Sequence, residues 1–158
     1  MDANALGTRL TETFGDGAPW AARSYKRLYV SIEPALLYPV FDWLTEALPG
    51  LRFGTTTAMD LREGVGVFHH LLVNGTPLVI TLKVVAPKPD PTVPSLAARI
   101  PAAAWIEREV TDMIGVVFEG HPEPYRLIKA EAFPDDYPMR RDFDVAQFKE
   151  DIGELPDF

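Results

Sequence analysis

Apolar and polar positions change rhythm several times along the 158-residue chain, and each change marks an element. Residues 2 to 14 space their apolar side chains at helical intervals, which predicts a short amphipathic helix; a loop with Gly15, Gly17 and Pro19 follows. "RLYVSI" (27–32) alternates, with Leu28, Val30 and Ile32 on one face, so a strand is expected there. "EPALLYPVFDWLTEALPG" returns to helical spacing, with Leu37, Val40, Phe41, Leu44 and Leu48 as its stripe and Pro49-Gly50 as its stop. Pro34 suits a first turn, whereas Pro39 should kink the helix or delay its start. Three alternating runs come next, 51–61, 65–73 and 78–86, separated by "REG" and "NGTP". The second separator is a hairpin signal, so the three runs form an antiparallel meander.

Proline then dominates. "PKPDPTVPSLAARIP" holds five of the chain's 15 prolines (87, 89, 91, 94, 101) and reads as a stiff, extended connector. A helix should start near Pro101 and end by Gly115, a glycine placed for a left-handed cap. Beyond it, "FEGHPEPYRLIKAEAFPDDYPMRRDF" is again proline-rich, with one short strand expected at 126–129. There is no internal repeat. The sequence of elements makes this an α+β chain.

The 101–115 helix carries the charges that need explaining. At 3.6 residues per turn, Ile106, Val110, Met113 and Ile114 form its apolar stripe. Glu109 lies on one edge beside Trp105 and Asp112, and Glu107 lies near the other edge. Half-buried carboxylates are costly unless they are paired or hydrogen-bonded. The available cations are Arg108 on the same helix, Arg126, and Arg140-Arg141 in "RRD". A guanidinium from Arg140 or Arg141, with Arg126 next, is therefore expected within reach of Glu109 or Asp112, closing a salt-bridged clasp.

Composition removes several function classes. A formal charge of −8 disfavours nucleic acid, which needs a positive footprint, and disfavours an anionic membrane surface. No apolar run approaches the ~20 residues of a bilayer span, and "MDANALGTRL" lacks the build of a signal peptide, so a cytoplasmic home is expected. With no cysteine, disulfides, thiolate-held iron–sulfur clusters and cysteine nucleophiles are excluded. From Glu131 to Phe158 nine acidic residues face only Arg140, Arg141 and Lys149, which reads as a solvated tail or an interaction arm.

Catalytic readings remain open on the residues alone. Glu109, Asp112 and His121 supply the side chains of an acid–base or metal-dependent hydrolase. No H-E-x-x-H motif is present, and the neighbouring His69 and His70 point to opposite faces of a strand. Neither Ser24, Ser31 nor Ser95 sits in a G-x-S-x-G turn, and no phosphate-binding glycine loop occurs.

"EREVTDMIGVVFEGHP" resembles the signature of the C-type (30-kilodalton) subunit of respiratory complex I, the NADH–quinone oxidoreductase. Glu107, Arg108, Glu109, Asp112, Gly115, Phe118, Gly120, His121 and Pro122 match it in register. "YPMRRDF" is similar to the family's closing Pro-Leu-Arg-Lys-Asp-aromatic element, through Pro138, Arg140, Arg141, Asp142 and Phe143. "VPSLAARIPAAAWIERE" resembles the approach to the signature. The departures are Tyr125, where a basic pair is common and only Arg126 remains, Asp136-Tyr137 in place of Gly-His, and a short C-terminal extension. They leave room for the sister branch, the equivalent subunit of membrane-bound [NiFe] hydrogenases and formate hydrogenlyase.

The resemblance implies a two-layer α/β sandwich with a mixed, largely antiparallel sheet and a proline-rich C-terminal segment. It implies a single domain of the C-type subunit over 1–143 with an acidic tail over 144–158. It also implies a non-catalytic, cofactor-free subunit of a proton-pumping complex, peripheral on the cytoplasmic face of the inner membrane and touching the membrane only through its partners. Those partners would be the large D-type subunit and neighbouring Fe–S subunits, which carry the Fe–S clusters and the quinone site or Ni–Fe centre. The docking constellation would be Glu107, Arg108, Glu109, Asp112, Gly115, Gly120, His121, Pro122, Arg126, Arg140, Arg141 and Asp142. A subunit that buries an interface should also expose an apolar patch, expected beside the 101–115 helix.

Overall fold

The meander expected after residue 50 is present: β3 (Leu51–Asp60), β4 (Val65–Val73) and β5 (Val79–Ala86) pair antiparallel in sequence order. A computed structural model describes residues 2–131 and 133–153. Its five-stranded sheet has the order β1-β2-β5-β4-β3, where β1 is Trp20–Ser24 and β2 is Arg27–Ile32. β1 and β2 form an antiparallel pair, and β2 joins β5 in parallel, Leu28 opposite Ile80 and Val30 opposite Leu82. The sheet is therefore mixed and largely antiparallel. β1 falls in a stretch the sequence reads as loop: "WAARS" is too short to show alternation, and its pairing with β2 defines it.

One side of the sheet is covered. Helix α1 (Ala3–Phe14), helix α2 (Leu37–Ala47) and helix α3 (Ala104–Ile114) bury Leu6, Leu10, Leu37, Val40, Leu44, Val110 and Ile114 against Leu28, Val30, Val67, Leu71, Ile80 and Leu82. Pro39 is the third residue of α2, where a missing N–H costs nothing because the first four amides have no helical acceptor. The helix start is delayed accordingly: a single 3₁₀ turn, Pro34–Leu36, comes first, and α2 begins only at Leu37.

The proline-rich connector is less extended than its composition suggests. It contains β6 (Thr92–Pro94) and two 3₁₀ turns, Leu96–Ala98 and Pro101–Ala103, before α3 begins. β6 pairs in parallel with β7 (Val117–Glu119), the segment that leaves α3. The strand expected at 126–129 is not there, because its amides turn inward to a carboxylate instead of pairing with a neighbour. Within the acidic end, α4 (Val145–Ile152) is capped by Asp144 and sets Phe148 against Phe133 and Phe143, with ring centroids 4.8 and 5.4 Å away. Glu154 and Asp157 of that stretch lie outside the described residues.

Candidate functional site

α3 brings the signature residues together, but in a different arrangement from a salt-bridged clasp. Its 3.6-residue period turns Glu107, Val110, Asp112 and Ile114 inward, while Glu109 is exposed. Two of the three carboxylates thus lie deeper than an edge position, and the third stands outside the contact. Among the described residues no guanidinium pairs with Glu107, Glu109 or Asp112.

Each buried carboxylate instead collects donors from the backbone. Asp112 Oδ2 accepts from the amides of Leu127, Ile128 and Lys129 at 2.8, 2.7 and 3.1 Å, three successive N–H groups curled into an anion-binding nest. Burial pushes the Asp112 carboxyl up, but these three donors outweigh it and hold its pKa below the ordinary aspartate value. Glu107 accepts from Ser95 Oγ at 2.5 Å and from the Leu96 amide at 2.7 Å. There burial dominates, and the Glu107 pKa is raised despite both donors. Ser95 Oγ accepts in turn from the Ala97 amide, and Tyr38 donates to the Ser95 carbonyl at 2.9 Å.

The arginines mirror this pattern by meeting carbonyls. Arg140 Nε donates to Ile114 O at 2.6 Å and Nη2 to Gly115 O, so it caps the C-terminal end of α3 where the helix dipole favours a cation. Arg108 donates to the carbonyls of Tyr125 and Arg126 at 2.9 and 3.1 Å. Arg126 reaches the carbonyls of Ala130, Glu131 and Phe133 and pairs with exposed Asp135. Arg141 contributes its amide, which donates to Asp60 Oδ2 at 3.0 Å; its side chain and Asp142 are exposed. Asp60, buried at the end of β3, also holds Lys88 Nζ. The expected Arg–carboxylate contact fails because backbone N–H and C=O groups at the helix and loop ends need partners first.

Gly115 adopts φ +77°, the left-handed cap expected of it. A Cβ there would lie 2.5 Å from the Tyr137 ring, which also stacks under Arg140 with 4.4 Å from guanidinium carbon to centroid. His121 fixes the other end: Nδ1 accepts from the Glu123 amide at 2.9 Å, so Nε2 carries the proton and donates to Ala104 O at 3.0 Å. The same Nε2 stands 3.9 Å from Glu107 Oε2, close enough to favour the carboxylate without bonding it. Gly120, at φ +77°, supplies the turn before it, and Pro122 is exposed.

The hydrolase constellation does not form. His121 binds the start of α3 and Asp112 sits two turns on, roughly 12 Å along the axis. Both His121 nitrogens and the Asp112 acceptor are occupied by backbone, and Glu109 faces solvent. No group of three or more potential ligands gathers among the described residues. His69 and His70 do point to opposite faces: His69 is buried against Thr56, and burial lowers its pKa to about 3. Sequence reasoning missed Ser95, Asp60 and Tyr137. Ser95 and Asp60 each end an element with a lone polar group, which is a usable signal; Tyr137 gave none, since its role depends on the close approach to Gly115.

Large apolar side chains stand exposed on and beside α3, next to the exposed Glu109. Trp105 is 66 % exposed, Tyr125 73 %, Ile128 55 % and Val117 53 %. A groove of about 220 Å³ runs between Arg108, Val117, Phe118, Pro124 and Tyr125. Exposed apolar side chains thus lie beside this helix, on the side where a patch was expected.

Known proteins resemble the chain over most of this framework. It is 32% identical over 154 residues to the C-type subunit of the NADH-quinone oxidoreductase of Methylobacterium sp. (strain 4-46), covering 92% of this chain and 69% of that protein. With its counterpart from Chloroherpeton thalassium it shares 44% identity over 107 residues, 68% of this chain and 41% of that protein. The matched region is thus only a part of either relative. A chain in the structure of the membrane-bound sulfane sulfur reductase, an archaeal respiratory membrane complex, superposes with TM-score 0.78 at 25% identity, covering 98% of this chain and 94% of that one. Residues 30–149, which include the second half of β2 and every charged group of the α3 site, match the family described as "Respiratory-chain NADH dehydrogenase, 30 Kd subunit", and the chain belongs to that family.

Proposed function

We propose that this chain is a non-catalytic structural subunit of a membrane-associated NADH–quinone oxidoreductase, docking on the large D-type subunit through the outer side of α3. The observation that carries the reading is a division of labour along that helix. Its buried charges are satisfied largely by backbone, whereas Trp105 and Ile128 stand exposed nearby and Val117 and Tyr125 line a groove beside it. Exposed aromatic side chains around a hollow are the anchors of protein interfaces, and carboxylates already bonded to backbone are poor catalysts. Among the described residues no helix is long and apolar enough to cross a membrane. Attachment to the cytoplasmic face through partner subunits belongs to the same reading, with the redox groups (Fe–S clusters, the quinone site) held by those neighbours.

The test is assembly. A Trp105→Ala/Tyr125→Ala variant should keep its melting temperature within a few degrees of the parent, since both side chains are exposed, and should be lost from the complex purified from native membranes. Retention of the doubly substituted chain at parental levels would overturn docking at this face. The same preparation distinguishes branches: recovery with a nickel-bearing large subunit in place of a quinone-reducing one would place the chain in a hydrogenase complex.

A further inference from the structure

Among the described residues no helix covers the second face of the sheet. β2, β5, β4 and β3 present it as cross-strand rows: Arg27–Val79–Leu72–Arg52, Tyr29–Thr81–His70–Thr55 and Ser31–Lys83–Phe68–Thr57. His70 bonds Thr57 and Thr81 at 3.1 Å each and ties the middle of this surface together. At ~4.8 Å between strands and ~3.3 Å per residue the face measures roughly 20 Å each way.

Its charge is the opposite of the molecule's. The chain has 23 acidic residues and a formal charge of −8, yet the five strands contain one, Asp60, and it points to the covered side. The outward positions carry Arg23, Arg27, Arg52 and Lys83 beside Tyr29 and Phe68. At one end a hollow of about 520 Å³ is lined by Arg23, Tyr29, Ser31, Phe68 and Lys83. Asp16 and Glu33 line the adjoining depression, which shares Ser31 and Lys83 with this face. No carboxylate ion pair involves Arg23, Arg27, Arg52 or Lys83 among the described residues.

We infer that this open face is a second interface of the protein, distinct from the α3 side, and that its occupant is a protein surface bearing aspartate or glutamate around an apolar centre. Arg27 and Arg52 flank Val79 and Leu72, and Lys83 lies beside Phe68, which fits such a partner: the charges set orientation and the apolar side chains between them supply the buried area. The net charge of −8 repels nucleic acid at long range and so favours protein as the occupant. The inference rests on the chain being a subunit of a larger complex.

The experiment uses the assembled complex. A carbodiimide joins an amine to a carboxylate only when the two touch, and Lys83 is the one lysine on the face. Treatment should produce a cross-linked peptide between Lys83 and an aspartate or glutamate of another subunit, absent in Lys83→Arg, which keeps the charge without an acylable amine. Arg27→Glu/Lys83→Glu should lower retention in the complex about tenfold through like-charge contact with the partner, while the isolated variant keeps the parental melting temperature and Lys149→Glu changes nothing. Lys83 acetylating as fast in the intact complex as in the free chain would overturn this inference alone. A cross-link from Lys83 to a second copy of this chain, or single-stranded RNA bound at physiological ionic strength and released by the double variant, would also overturn it. Loss of the parental chain from every complex would overturn it together with the subunit assignment.

Discussion

Asp112→Ala isolates the contact that holds the 119–141 return onto α3. The substitution leaves the amides of Leu127, Ile128 and Lys129 without an acceptor in a site from which Asp112 excludes water, being 2 % exposed. A hydrogen bond to a charged group contributes about 1.5–3 kcal/mol, and an abandoned buried donor costs about 1–3 kcal/mol. The loop lies at the surface, with Ile128 and Ala130 exposed, so water recovers part of each loss after the change. About 1 kcal/mol per amide gives a destabilisation of about 3 kcal/mol, a fall of roughly 6–12 °C for a domain of this size. Asp112→Asn keeps one acceptor but no charge, and about half the loss is expected. The pH dependence has a definite sign. Because the folded Asp112 pKa is depressed, its contribution is present above its ordinary value of 3.8 and is lost as pH falls through the lower folded value. The gap between parent and Asp112→Asn in urea midpoints should therefore be constant near neutrality and close in acid. A midpoint for Asp112→Ala within about 0.5 kcal/mol of the parent would refute the backbone-nest account.

Glu107 should behave in the opposite way: its folded pKa is raised, so its contribution is present below 4.5 and is lost as pH rises through the folded value. Urea midpoints of Glu107→Gln should thus gain on the parent between about pH 4.5 and neutrality; parallel curves would contradict this. Arg140→Ala should cost about 1–2 kcal/mol through the lost cap on Ile114 and Gly115 carbonyls, with Lys restoring only part, whereas Arg141→Ala should stay within about 0.5 kcal/mol because the contact uses its amide. Calorimetry of the three variants separates these cases. Gly115→Ala should exceed about 2 kcal/mol, adding a left-handed penalty of about 1–2 kcal/mol to the collision with Tyr137, and a smaller loss would mean that the ring moves aside freely.

Periodicity made the meander, β2, α1, α2 and α3 legible, because each shows two or more repeats of its own spacing. β1 and β6 were not legible: five and three residues carry too little pattern, and both are strands because a distant partner sits beside them. In the site, the closeness of Glu107 and Asp112 to the buried stripe followed from helical phase, and the cap at Gly115 followed from its residue type. The partners of the charges did not follow. Pairing acids with bases treats side chains as the only donors and acceptors, whereas Ser95, the 127–129 amides and the carbonyls ending α3 were nearer and otherwise unsatisfied. A backbone group has no letter of its own in the sequence.

That last property has a consequence for how such a protein varies. The return segment is fastened to α3 through its amides and carbonyls at residues 125–129, so the identity of those residues is almost irrelevant to the attachment. Side chains such as Tyr125 and Ile128 are free to be exchanged over generations while Arg108 and Asp112 stay put. A single frame can in this way be refitted to partner surfaces of quite different shape, with the adaptation concentrated in the exposed side chains of one ribbon.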